Sequence, residues 1–354
     1  MSIPERGALC SIERFSGKYR MKATWGGPSA PRPVDMRCCP GQTRRPHDIA
    51  VFRPGPSLIR PSLSAEFEPP FTIAEPPRQT VPFVFNAPHA GSVYPEAFLR
   101  ASGLGAMALR RSEDAHVDLL FGGAAELGAP LMSARFPRAF LDVNREPYEL
   151  DPRMFDGRLP PFANTRSMRV AGGLGTVPRI VADGQDIYRG RLAVEDALRR
   201  IEELYKPYHR ALRALLTRTV DSFGSVVLID CHSMPSTSLN RNETARADVV
   251  LGDRYGTSCS ALLTDAVEAA FRERGYAVVR NKPYAGGFIT EHYGAPANGR
   301  HSLQIEVNRA LYMDEETLAP LANFKRVASD LTSAFRDVIG QVGFYLEPRR
   351  IAAE

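Results

Sequence analysis

From Phe71 onward the chain alternates short apolar runs with stretches of helical periodicity. Phe83-Val84-Phe85, Ala139-Phe140-Leu141, Val226-Val227-Leu228-Ile229 and Val249-Val250-Leu251 read as buried strands, and Val278-Val279 and Leu303-Gln304-Ile305 as shorter ones. Residues 192–218 place Leu198, Ile201, Leu204, Tyr208, Leu212 and Leu215 at spacings of three and four, which makes one apolar helix face; Pro207 is expected to kink or split that helix. Residues 258–273 and 316–339 read as helices too. A further helix is expected to begin at Asp114, because Val117, Leu120 and Phe121 follow at helical spacing. This alternation predicts a single α/β domain whose mixed, largely parallel sheet is covered on both faces.

Composition narrows the class without naming it. The 354 residues are 44% hydrophobic and 24% charged, enough for a large buried core and unlike a disordered chain. No run of 18 apolar residues occurs, so no membrane-spanning segment is expected. The net charge of +5 divides unevenly: +7 within the first 60 residues and −2 over the remaining 294. Residues 1–65, with eight prolines before position 61 and no sustained periodicity, read as a basic, Pro/Arg-rich extension that is disordered; residues 66–354 form the catalytic-sized domain. The positive charges of the extension are dispersed and lack interleaved aromatics, which argues against a nucleic-acid-binding arm, and no transit peptide is visible. A solvated extension is expected instead, with Met21 or Met36 as alternative starts. Five cysteines at 10, 38, 39, 231 and 259 show neither a disulfide framework nor zinc-ribbon spacing, so a reducing, cytoplasmic setting is expected.

Ligands of open α/β sheets lie beyond the carboxyl ends of the strands. Two histidines fall there: His89, in Asn86-Ala87-Pro88-His89-Ala90-Gly91, and His232, in Asp230-Cys231-His232-Ser233. Imidazoles from separate elements suit zinc, which in catalytic sites takes three protein ligands and leaves a position for water. Asp114 is the candidate third ligand, with Glu113 and His116 as alternatives and His116 also a candidate substrate contact. If the strand runs on through Cys231, alternation puts Asp230 and His232 on one side and the cysteine on the other, as a structural thiol. Asp230 then stands ready to orient the site. Glu306, an acid within an apolar run, is costly there unless paired or used, and beside a metal it is a natural general base. Arg145, in Asp142-Val143-Asn144-Arg145, presents a planar fork suited to a substrate carboxylate.

These pieces, with Asp114, His116 and Asp118, Pro207-Tyr208-His209, Asp248 to Gly252, Tyr284 to Thr290, Gln304 to Arg309 and Tyr312 to Glu315, make the chain resemble the N-formylglutamate amidohydrolase family from about Phe71 to residue 340. The family is similar to the zinc carboxypeptidases, whose sheet carries a His-x-x-Glu pair, an Asn-Arg carboxylate anchor, a later histidine and a final glutamate. His89, Asn144 with Arg145, His232 and Glu306 follow that order, whereas Ser92 takes the place of the first glutamate; Asp114 is its expected replacement. The resemblance implies a three-layer αβα sandwich and a zinc-dependent enzyme that hydrolyses N-formylglutamate or another short, acidic N-acyl amino acid. It implies His89 and His232 as metal ligands, with Asp114 the expected third, Glu306 as the catalytic group, and Asn144 and Arg145 as substrate contacts, beside which Arg309, Gly287 and His116 are further candidates. Arg309 or Lys282 would hold a side-chain carboxylate, and Gly286-Gly287 suggests a close backbone approach or a lid. Two alternatives stand beside this: a peptidase or amidase using the same metal on larger, acidic or cell-wall peptides, and a non-catalytic protein binding nucleic acid through its basic arm.

Overall fold

The computed structural model describes residues 62–181, 184–238 and 247–341. The expected extension therefore lies outside the described residues, apart from its last few positions.

Nine strands are present among the described residues: β1 (Phe71–Ala74), β2 (Phe83–Ala87), β3 (Leu131–Ala134), β4 (Phe155–Asp156), β5 (Leu192–Ala193), β6 (Val226–Met234), β7 (Val249–Gly252), β8 (Val278–Arg280) and β9 (Arg300–Asn308). Seven of them form one sheet in the order β1-β3-β2-β6-β9-β7-β8, while β4 and β5 pair separately. Only the β1/β3 and β7/β9 pairs are antiparallel, so the sheet is mixed and largely parallel, as expected. The α-helices are α1 (Leu63–Phe67), α2 (Glu96–Ala101), α3 (Ala106–Arg110), α4 (Val117–Leu120), α5 (Met168–Ala171), α6 (Val194–Arg200), α7 (Lys206–Phe223), α8 (Ala261–Glu273), α9 (Phe288–Tyr293) and α10 (Phe324–Gly340). No described helix is long and apolar enough to cross a membrane.

Two-residue alternation divides the core. Phe83, Phe85, Val227, Ile229, Cys231, Leu303, Ile305 and Val307 face α4, α8 and α10 on one side. Val84, Val226 and Leu228 face the other, packing with residues of α1, α6 and α7. This is the αβα arrangement. Leu63 and Phe67 of α1 are buried in the second layer, so that helix straddles the boundary expected at residue 66.

Three expectations about elements need correction. Ala139-Phe140-Leu141 is not a strand: the amides of Phe140 and Leu141 turn back to the carbonyl of Pro137 at 2.9 and 3.2 Å. The run is buried all the same, because it plugs the second layer as a turn. The neighbouring strand is β3, whose Leu-Met-Ser-Ala sequence lacks β-branched residues. Asp114 precedes α4 instead of opening it, and His116 holds the position before the helix with φ 66°. The final helix begins at Phe324, eight residues after the expected start. Pro207 acts as foreseen: a π-helical turn at Ile201–Tyr205 separates α6 from α7 just ahead of it, where the ring could not fit a regular helix.

Candidate active site

Polarity changes along one face of the sheet. On β6, Val226 and Leu228 are followed on the same face by Asp230 and His232; on β9 that face reads Ser302, Gln304, Glu306. Parallel pairing sets Asn86 beside Asp230, Asp230 beside Gln304, and His232 beside Glu306. All of these side chains are buried. β6 runs through to Met234, so Cys231 falls on the opposite face, in the apolar core. There burial pushes its thiol far up, and its Sγ contacts the carbonyl of Ile229 at 3.4 Å.

His89, Asp114 and His232 converge at the carboxyl end of this face, each offering a ligand atom within 4.8 Å of the others. The two imidazole rings lie 4.9 Å apart, centroid to centroid. Each spends Nε2 on a carboxylate: His89 on Asp142 Oδ1 at 2.8 Å, His232 on Asp230 Oδ2 at 3.1 Å. An ionised carboxylate only accepts, so both rings donate through Nε2 and turn Nδ1 toward Asp114, where His232 carries a second proton that a metal would displace. Asn144 Nδ2 also lies 3.2 Å from His232 Nε2, but two donors cannot share that proton; the amide is a neighbour there and Asp230 the partner. His232 Nδ1 is 2.9 Å from Asp114 Oδ2. His89 Nδ1 is 3.5 Å from the same oxygen and is a buried nitrogen without a hydrogen-bond partner. A buried, unpartnered nitrogen aimed at a carboxylate and a second imidazole fits a divalent metal, with two oriented histidines and one acid as the donor set.

The charges around the cluster are interlocked. Burial would raise the Asp114 carboxyl, but His232 and His89 outweigh it and hold the group well below the carboxylate range. Burial likewise opposes the charged form of His232, and Asp230 and Asp114 reverse that, lifting the ring well above its ordinary value. Asp142, also buried, is held low by Arg145, His89 and Arg138. Glu306 is the exception: burial pushes its carboxyl up to about 7, with Asp114 adding to the rise and His232 opposing it. Its Oε1 accepts from Gln304 Nε2 at 2.8 Å.

Loops and α7 brace the wall. Gly287 N donates to Gln304 Oε1 at 2.8 Å and Ile289 N to Asn144 Oδ1 at 2.7 Å, so the start of α9 is pinned to the site. A Cβ on Gly287 would lie 2.4 Å from Asn144 Nδ2, which explains glycine there as a close approach. Tyr205 donates to the Arg145 carbonyl at 2.7 Å, Tyr208 to Asn86 Oδ1 at 2.5 Å, and His209 Nε2 to the Val143 carbonyl at 2.8 Å. The cavity is about 480 Å³ and is lined by His89, Asp114, Asp142, Asn144, Arg145, His232, Gly287, Glu306 and Arg309, among others.

The N-formylglutamate amidohydrolase family profile matches residues 81–313. The chain belongs to that family. A protein of Pseudomonas aeruginosa named N-formylglutamate deformylase is 31% identical over 268 residues, spanning 75% of this chain and 92% of its own. One of the same name from Pseudomonas putida is 30% identical over 238 residues, 66% of this chain and 83% of the relative. The crystal structure of N-formylglutamate amidohydrolase from Ralstonia eutropha superposes with a TM-score of 0.72 at 36% identity, covering 78% of this chain and 98% of that one. A gene product of Agrobacterium tumefaciens, 19% identical with a TM-score of 0.55, shares the fold.

Within this family member the structure brings together His89, Asp114, His232, Glu306, Asn144, Arg145, Gly287 and Arg309, and leaves others outside. His116 does not line the cavity: its Nε2 meets the Leu318 carbonyl at 2.8 Å and its ring rests against Phe324. Glu113 is bound to Tyr94 at 2.6 Å and to Arg110, so neither alternative to Asp114 reaches the cluster. Lys282 is exposed and lies off the cavity wall. Arg309 lines the cavity and gives four of its five N–H groups to Ser233 Oγ, the carbonyls of Arg111 and Glu113, and Asp114 Oδ1, so it orients Asp114. Reasoning from sequence missed the positioning role of Asp142 and passed over Arg138 and Arg169 altogether. Asp142 heads the Asp-Val-Asn-Arg run, and its signal is an acid flanked by Arg138 and Arg145 at helical-turn distance; nothing local marks Arg138 and Arg169 themselves.

Proposed function

We propose that the protein is a zinc-dependent amidohydrolase that cleaves the amide of N-formylglutamate, or a similar short N-acyl amino acid, releasing formate and glutamate in the first case. The observation that carries the proposal is the unpartnered Nδ1 of His89, facing Asp114 and His232 in a cavity that also holds Glu306 and Arg145. The names of the Pseudomonas relatives support the substrate.

His89 Nδ1, Asp114 and His232 Nδ1 would hold the ion. When bound, zinc polarises an acyl oxygen and lowers the pKa of water to about 7. Glu306 takes the proton of the attacking water and returns it to the departing amine. Asp142 and Asp230 keep the imidazoles turned, each through an Nε2–H. Arg145 is fixed by two carbonyls, which accept from its Nε (Leu174 O) and Nη1 (Asn144 O), both at 2.8 Å, and its Nη2, 3.6 Å from Asp142 Oδ2, lies on the cavity wall to meet the substrate α-carboxylate. The cavity of about 480 Å³ falls in the range of small-molecule pockets, which favours an amino-acid derivative over a cell-wall peptide. Cys231 and Cys259 are free and buried, which accords with a cytoplasmic enzyme.

A screen of N-formyl and other N-acyl amino acids with metal-loaded protein tests the proposal. N-formylglutamate is expected to be hydrolysed; release of no amino acid from any member of the panel would overturn it.

A further inference from the structure

An N-acyl glutamate carries two carboxylates, and Arg145 answers one. Besides Arg145, the arginines on the cavity wall are Arg111, Arg138, Arg169 and Arg309. Arg309 spends four of its five N–H groups on Asp114 and its surroundings. Arg138 is committed to Asp142 Oδ2, with Nε and Nη2 each at 3.1 Å. Arg111 is exposed and already engaged. Arg169, half-buried on α5, differs: no described residue accepts a hydrogen bond from its guanidinium or forms an ion pair with it.

Arg169 is also tied to Arg145 by the chain itself. Its carbonyl accepts from Leu174 N at 2.8 Å, and the Leu174 carbonyl in turn accepts from Arg145 Nε at 2.8 Å. One short loop thus sets both guanidiniums on the same wall. Their like charges repel, and the Arg169 charge works with burial against the ionisation of Arg145. A guanidinium on the cavity wall with no described counter-charge keeps its planar fork available to an arriving carboxylate.

We propose that Arg169 is the anchor of the second carboxylate and so makes the site selective for N-acyl dicarboxylic amino acids. This rests on reading the chain as an amidohydrolase and assigns the specificity of that same site.

Two measurements on the full chain test it. The first compares kcat/KM for N-formylglutamate and N-formylglutamine, which differ by one side-chain charge, in the metal-loaded wild type and in Arg169→Gln and Arg169→Lys. The wild type should favour the charged substrate. Arg169→Gln should lose roughly 10- to 100-fold with N-formylglutamate, mainly through KM, and far less with N-formylglutamine, while Arg169→Lys recovers part of the loss. The second titrates glutarate and butyrate calorimetrically, with no reaction involved; the variant should weaken glutarate much more than butyrate. Equal losses on both substrates, or glutarate affinity unaltered by Arg169→Gln, would overturn the assignment. A wild type that hydrolyses neither substrate would defeat the amidohydrolase reading instead, and the glutarate titration would still decide the role of Arg169.

Discussion

Asp142 accepts from His89 Nε2 at 2.8 Å and faces Arg138 and Arg145, so neutralising it without changing its shape tests positioning and leaves every proposed ligand in place. Asp142→Asn is expected to weaken metal affinity roughly 10- to 100-fold, measured by competition with a chromogenic chelator. Glu306→Gln should behave in the opposite way: kcat falls by about 10²- to 10⁴-fold while the bound metal stays, as elemental analysis would record. The pH profile follows from the same carboxylate. Glu306 acts as a base, so the ionised form is the active one and kcat/KM should decline as pH falls through its pKa. Burial pushes that group up to about 7, and a bound cation draws it lower; the acid limb should therefore lie at or below neutrality and vanish from the residual rate of Glu306→Gln. Single-residue reasoning from sequence found His89 and His232 because they follow apolar runs at the carboxyl ends of strands, and Glu306 because an acid inside an apolar run needs a purpose. It could not anticipate the partners of His116 and Arg309, since Leu318 and Asp114 lie 202 and 195 residues away.

At the scale of elements, alternation was the most readable signal. Once β6 continues through Met234, the faces of Asp230, Cys231 and His232 follow from the two-residue period alone. The turn at Ala139–Leu141 was not readable, because an apolar run reports burial and says nothing about which backbone hydrogen bonds are made. β3 was missed for the complementary reason: Leu131–Ala134 gains its strand form from pairing with β1 and β2, with little intrinsic preference for it. The start of α9 offers a direct test of an element's placement. Gly287→Ala would drive a methyl group into Asn144, so it should lower stability by about 1–3 kcal/mol in denaturant unfolding and reduce kcat/KM, because the same shift disturbs the wall beside His232. An alanine variant with wild-type stability and rate would show that the approach is looser than the geometry implies.

For the whole molecule, the class of fold was legible from strand and helix alternation, while the strand order β1-β3-β2-β6-β9-β7-β8 depends on long-range pairing that no local pattern carries. Convergence of His89 and His232 is a property of that order: β2 and β6 are neighbours, and their carboxyl ends deliver both imidazoles to one place. The central claim is that these two rings and Asp114 hold one ion that the reaction requires. Its most direct test is to titrate zinc into chelator-treated protein and into the His232→Ala variant, following N-formylglutamate hydrolysis at each step. Activity should be absent without metal, rise with zinc to a plateau near one ion per chain, and fail to appear in the variant, which should bind zinc far more weakly. Full turnover by metal-free protein, or undiminished zinc binding by His232→Ala, would contradict the account.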